Sequence, residues 1–346
     1  MTAQFKTAAG ILSMAVILLL SACATTKENG KQPPDWVNGV SSRYPASQYL
    51  IGRGAAANLD DAKDRARADL AKVFEVGIRA ESSDIQTFER VSAGNNGAGE
   101  SKGQLKISRN IQTRTNRVIR GIEIADLWQD PQSGTHYALA VLRRLQAAQT
   151  LRDDIARLDE ATRLYVAKAN GEKDLLKRIA AASRSVEAQI ERASAQRTLQ
   201  VIDITGRGVP PPWPLAQLRS ERETLIQDLS LATRTSGSDG DAIHDILDGA
   251  VSASGFTLKS PGQAKFTLNA AFDLGDLEQR EGWYWKKGTL EISLSDATNK
   301  VRGTQRWNIK SSALSQADAQ RRALDQVNKI LKGDLRAVLI SFADNK

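Results

Sequence analysis

Few side chains in this sequence are suited to covalent or acid–base chemistry. The 346 residues include one cysteine, Cys23, and two histidines, His136 and His244. A single thiol excludes an internal disulfide and a zinc cluster built from several thiolates. A Ser-His-acid triad needs a histidine as base, yet neither histidine has a glycine-flanked serine elbow nearby in the sequence. Both histidines read as surface or edge residues. Gly52-Arg53-Gly54-Ala55-Ala56-Ala57 superficially fits a phosphate-cradling dinucleotide fingerprint. A short βαβ crossover and an acid to hold a ribose are missing, so these glycines read as a tight turn with unusual dihedrals. Asp60-Asp61 and Asp153-Asp154 read as solvated helix acids. No catalytic residue, metal site or cofactor is expected from this inventory.

The position of Cys23 gives it a different chemistry. Lys6 is followed by the apolar run AAGILSMAVILLL over 8–20, then by Leu20-Ser21-Ala22-Cys23. The run has the length of a signal-peptide core and is too short for a membrane-spanning anchor. An aliphatic residue, two small residues and a cysteine resemble a bacterial lipobox. Small residues let a signal peptidase close on the backbone, and the thiol accepts a diacylglycerol. The other reading is an ordinary secretory signal with a chance cysteine. If the lipobox reading holds, residues 1–22 are removed and Cys23 leads the mature chain, carrying covalent lipid such as palmitate. Ala24 follows it rather than aspartate, which by resemblance to lipoprotein sorting favours the outer membrane. Several acyl chains exceed what stable anchoring requires.

Composition is that of a soluble globular protein, with 41% hydrophobic and 25% charged residues. Net charge is +8, falling to about +7 once residues 1–22 and their one lysine are removed. An exported chain rarely meets nucleic acid, so this excess points to anionic surfaces: acidic proteins, wall carboxylates or lipid phosphates. Arg109, Arg114, Arg117 and Arg120 form one candidate basic cluster; the alternative is a solvated helix face.

The expected fold class is α+β: two small α+β domains with antiparallel sheets, joined by a helical hairpin. Residues 23–34 read as a lipid-anchored tether, reaching on the order of 30 Å at about 3 Å per residue. A first domain covers 35–147. Its strand YLIGRG at 49–54 leads to a helix over 58–78 with Asn58 as cap. The segment 92–103 reads as a loop. Residues 105–119 fit a helix, with strand alternation as a rival. GIEIADLWQD and THYALAVL flank a turn and predict a β-hairpin. Over 148–200, Leu151, Ile155, Leu158, Thr162, Tyr165 and Ala169 step as a coiled-coil seam, and Asn170-Gly171 turns the chain into a second arm. That hairpin is either a protruding partner-binding arm or a spacer packed on its neighbours. Residues 201–215 form a proline-rich linker. The second domain, 216–346, is expected to hold a strand in ETLIQDLSLAT, a helix over 241–255, a strand FTLK, an antiparallel meander over 265–310 and a final helix over 315–342.

The stretches YLIGRGAAANLDDAKDRARADLAK and GIEIADLWQDPQSGTHYALAVLRR resemble the bacterial twenty-kilodalton lipoprotein family over residues 35–147. The resemblance implies an envelope lipoprotein with no established catalytic activity. A related module occurs in the flagellar T-ring protein. The element order of 216–346 has a looser likeness to periplasmic lipoproteins that activate peptidoglycan synthases.

The leading functional expectation is a non-catalytic outer-membrane lipoprotein facing the periplasm. It would tether protein-interaction domains for cell-envelope assembly or maintenance. Expected partners are the membrane, through the lipid anchor, and periplasmic or envelope proteins; peptidoglycan is an alternative partner and nucleic acid is not one. The rivals are a wall-modifying periplasmic enzyme, for which no nucleophile or metal cluster is recognisable, and a carbohydrate-binding lipoprotein. Partner-binding candidates are Trp283, Trp285 and Lys287, on one side of a predicted strand, together with Arg114 and Arg117.

Overall fold

The computed structural model describes residues 32–74, 102–275 and 277–343. Leu20, Ser21, Ala22 and Cys23, most of the tether, the end of the 58–78 helix and the 92–101 stretch lie outside the described residues. The architecture is the expected α+β class.

The first domain is built on three antiparallel strands in the order β1 (Tyr49–Ala56), β3 (His136–Arg143), β2 (Glu123–Gln129). A short helix, α1 (Asp35–Asn38), precedes them. Helix α2, over 59–74, covers one face of the sheet. Its Ala62, Ala66, Leu70 and Phe74 recur every four residues and are all buried, as helical spacing demands. Asn58 caps α2 by accepting from the Asp61 backbone N–H at 2.8 Å. The other face is covered by the chain before β1. Trp36 of α1 packs on Leu139 and Val141, and its indole N–H donates to Asp126 Oδ2 at 2.9 Å. Two covered faces explain why HYALAVLR is nearly all apolar where a half-exposed strand would alternate.

Residues 105–119 are helical, within α3 (Lys102–Ile119). The hairpin is α4 (Arg144–Gly171) followed by α5 (Leu175–Ile202), with Asp174 capping α5 through the N–H groups of Leu176 and Lys177. It does not protrude. Small residues such as Ala181, Ala182, Ser185 and Ala188 let neighbours approach α5 closely, and it is buried around most of its circumference. Leu176, Ile179, Ala181 and Ala182 belong to the core of the second domain, whereas Ala195, Leu199 and Ile202 belong to that of the first. Between them, Val186 and Ile190 meet Ile107 and Ile111 of α3. Helix α5 is therefore a spine shared by both domains.

The segment after α5 departs from an open linker. Arg192, only 2% exposed, donates through Nη2 to the carbonyls of Val209 and Pro210 at 3.0 Å. Gln196 Oε1 accepts from the Val209 N–H at 2.9 Å. The proline-rich stretch is strapped to α5.

The strand expected in ETLIQDLSLAT is corrected. Residues up to Gln227 close a helix, α6 (Leu215–Gln227), and β4 (Ser230–Gly237) starts only at Ser230. Leu218, Arg222, Leu225 and Ile226 fall on one buried helical face. Next come α7 (Gly240–Ala253), ended by Gly255 at φ +82°, and the short β5 (Thr257–Leu258). The sheet continues with β6 (Phe266–Leu274), β7 (Glu278–Arg280), β8 (Trp283–Asp296) and β9 (Val301–Ala313). The β6, β8 and β9 meander is antiparallel. Strand β4 runs parallel to β5 and β6, which the crossover through α7 makes possible. Helix α8 (Gln316–Ser341) buries Ala319, Ala323, Val327, Leu331, Leu335 and Leu339 every fourth residue, against the same core as α7 and the aliphatic side of β8. Each such leucine contributes about 2 kcal/mol of burial.

Candidate functional site

Strand β8 is the element on which the candidate site stands. Leu290, Ile292 and Leu294 are fully buried beneath α7 and α8. Strict alternation then turns Trp283, Trp285 and Lys287 to the opposite side of the sheet. None of the odd-numbered residues of β8 is buried, and neither are the cross-strand neighbours Thr304, Arg306, Asn308, Lys310 and Ser312 on β9. This face of the second sheet is open among the described residues, unlike either face of the first.

The aromatic end of that face is ordered by a two-residue turn. Glu281 and Gly282 both have positive φ, +51° and +80°, as a tight hairpin between β7 and β8 requires. Register then pairs Trp283 with Arg280, Trp285 with Glu278 and Ser312, and Lys287 with Lys310. Trp283 is 41% exposed, high for so large an apolar side chain. The Lys310 ammonium lies 5.0 Å from the Trp285 ring centroid, in cation–π range. Lys287 Nζ donates to both Glu278 carboxylate oxygens at 3.1 Å, and Arg280 reaches the same carboxylate at 3.1 Å. The hydrogen bond from Lys287 and the surrounding cations hold the Glu278 carboxyl below its usual value.

Arg114 and Arg117 do not join this face. Arg114 Nη2 contacts Glu191 of α5 at 2.5 Å, and Arg117 Nη1 contacts Asp154 of α4 at 3.2 Å. Both tie α3 to the hairpin, so the basic cluster is in part internal stitching. Asp154 corrects a second expectation: it is 1% exposed, held by Arg117 and Arg157, whereas Asp60 remains solvated beside Lys63. The glycines of β1 are also reassigned. Gly52 and Gly54 lie within the strand, and a Cβ there would stand 2.4 Å from the Ala66 carbonyl oxygen and 2.1 Å from that of Ala62. They are glycine because α2 crosses the strand at backbone contact, and neither has a positive φ.

His136 opens β3, and His244 sits on α7 with Nε2 3.8 Å from Asp248. Among the described residues no group of three or more His, Cys, Asp or Glu side chains could hold a metal ion. No helix among them is long and apolar enough to cross a membrane. A groove of about 260 Å³ lies where Ala169 and Asn170 meet Arg178 and Ala182 of α5 and Leu218 and Glu221 of α6. Sequence reasoning missed it because only the end of α6, from Glu223, was read, and it was read as the start of a strand.

Residues 34–143 match the LPP20 lipoprotein family. The match covers residues 35–143 of the 35–147 resemblance, and α4 begins immediately after it. No curated protein matches the chain. Among solved structures, the secreted protein HP1454 from Helicobacter pylori is similar at 12% identity and a TM-score of 0.40, over 82% of this chain and 97% of that one. A minor lipoprotein from Acinetobacter baumannii is similar at 14% identity and a TM-score of 0.26, over 32% and 93%. Lipoprotein GNA1162 from Neisseria meningitidis is similar at 9% identity and a TM-score of 0.22, over 29% and 96%.

Proposed function

We propose that this protein is a non-catalytic lipoprotein, anchored through Cys23 in the outer membrane and facing the periplasm. Its folded part presents the open face of the second sheet to a partner in the envelope. The observation that carries the reading is the order of parts: Leu20-Ser21-Ala22-Cys23 stands a short polar tether ahead of an LPP20 segment beginning at residue 34. Ala24 after the cysteine supports sorting to the outer membrane. The shared α5 spine supports a scaffold role, since it joins the lipid-proximal domain to the sheet carrying Trp283. Fractionation of envelopes tests the anchor. Wild type is expected in the outer-membrane fraction, and Cys23→Ala as precursor or soluble protein. A wild-type chain found free in the periplasm overturns the reading.

A further inference from the structure

We propose that the end of the open sheet face around Trp283, Trp285, Lys287 and Lys310 binds a carboxylate-bearing glycan. This deepens the partner-capture reading and rests on it for where the ligand is met. Three observations converge on that chemistry.

The first is shape. A sugar ring presents a flat face of weakly positive C–H bonds, which matches the negative face of an indole. Trp283 offers its ring on an open sheet rather than in a groove. Beyond it the face continues with Thr289, Ser293, Asn308 and Thr304, none of them buried and all able to hydrogen-bond hydroxyl groups. An extended, hydroxyl-rich chain fits such a surface.

The second is charge. Lys287 and Lys310 are directly opposite one another across β8 and β9. Like charges in that position destabilise a sheet. Glu278 already serves both Lys287 and Arg280. Lys310 is within electrostatic reach of Glu278 but forms no ion pair with it, and its ammonium rests against Trp285. An incoming carboxylate would relieve the repulsion and draw Lys310 off the indole face it covers.

The third is what the backbone does not offer. Strand β8 is paired on both sides, so a peptide cannot add to it as a strand. The free edge of β9 is partly capped from α8: Gln326 accepts from the Lys310 N–H at 3.1 Å, and Arg322 donates to the Ser312 carbonyl at 2.6 Å. A partner lying over this face, rather than along a sheet edge, meets side chains.

The test uses the full-length mature lipoprotein in detergent and calorimetric titration with two soluble saccharides. One is N-acetylglucosaminyl-N-acetylmuramic acid, which carries a carboxylate. The other is N,N′-diacetylchitobiose, which lacks it. The acid is expected to bind about tenfold more tightly, as a charge-assisted contact implies, and the difference to shrink in 0.5 M salt. Lys310→Gln should abolish the preference, and Trp283→Ala should weaken both sugars about tenfold. Trp283→Phe retains a ring and should recover most of the affinity, which separates loss of stacking from loss of fold. Equal binding of the two sugars overturns the proposal, as does binding of neither. Tighter binding of glycerol 3-phosphate, a soluble anionic lipid headgroup, than of the acid in the same titration also overturns it and makes the face a membrane contact. Each of these outcomes is independent of where the protein fractionates, so failure here leaves the anchor untouched.

Discussion

Arg336 on α8 donates through Nη2 to both carboxylate oxygens of Glu223 on α6, at 2.6 and 2.7 Å, across 113 positions of sequence. Arg222 reaches the same carboxylate at 2.6 Å, and Arg336 Nη1 donates to the Ser254 carbonyl at 3.1 Å. One acid thus holds two largely buried guanidiniums where α6, α7 and α8 meet. Burial pushes the Glu223 carboxyl up, but Arg336 and Arg222 outweigh it and leave the group below its ordinary value of 4.5.

The stability this supplies is complete above the unfolded value near 4.5 and is lost as pH falls through the lower folded value. Wild type should therefore lose thermal stability steeply on acidification below about pH 4.5. Glu223→Gln should destabilise the protein at pH 7 by about 3 kcal/mol, because it removes the carboxylate that Arg336 and Arg222, both largely buried, share. It should also flatten the acid limb. Thermal melts of both proteins from pH 7 to pH 3 check this; parallel curves would contradict it.

Gly54→Ala should be costly, since its Cβ would meet the Ala62 carbonyl oxygen and Ala66 nitrogen, backbone atoms that cannot swing aside. The expected loss is about 2–3 kcal/mol by denaturant unfolding. Gly171→Ala, with open space at its Cβ position, is the control. It should be neutral or stabilise by up to about 1 kcal/mol. Similar losses for both would contradict the close-contact account of β1 and α2.

Arg192→Lys should loosen the strap after α5. A lysine cannot keep the fork that holds Asp159 at 2.8 Å together with the Val209 and Pro210 carbonyls. Limited proteolysis should then cut near Arg207 at least tenfold faster than in wild type, following the population of the opened form. An unchanged rate would mean that the strap is held by something else.

How much of this was legible in the sequence depended on whether neighbours in space were also neighbours in pattern. The seam from Leu151 to Ala169 and the buried alternation of Leu290, Ile292 and Leu294 each state their own period, and both are as expected in the structure. The end of helix α6, 223–227, was read as strand because a short apolar run does not declare its period, and because Glu223 is held by Arg336, 113 residues away. Asp154 looked like a surface acid, yet Arg117, 37 residues away, bonds to it where it is buried. The alanines and serines of α5 gave no sign that they lie against two domains at once, since small residues are tolerated in both settings. Of the candidate site, strand parity placed the tryptophans on one side of the sheet; the opposition of Lys287 and Lys310 required the register of β9.

The central claim is a lipid-anchored mature chain, and mass spectrometry of the amino-terminal peptide from native membranes tests it most directly. The account predicts a chain beginning at Cys23, with diacylglycerol on the sulfur and an acyl group on the freed amine. An unmodified amino terminus at any other residue would contradict it.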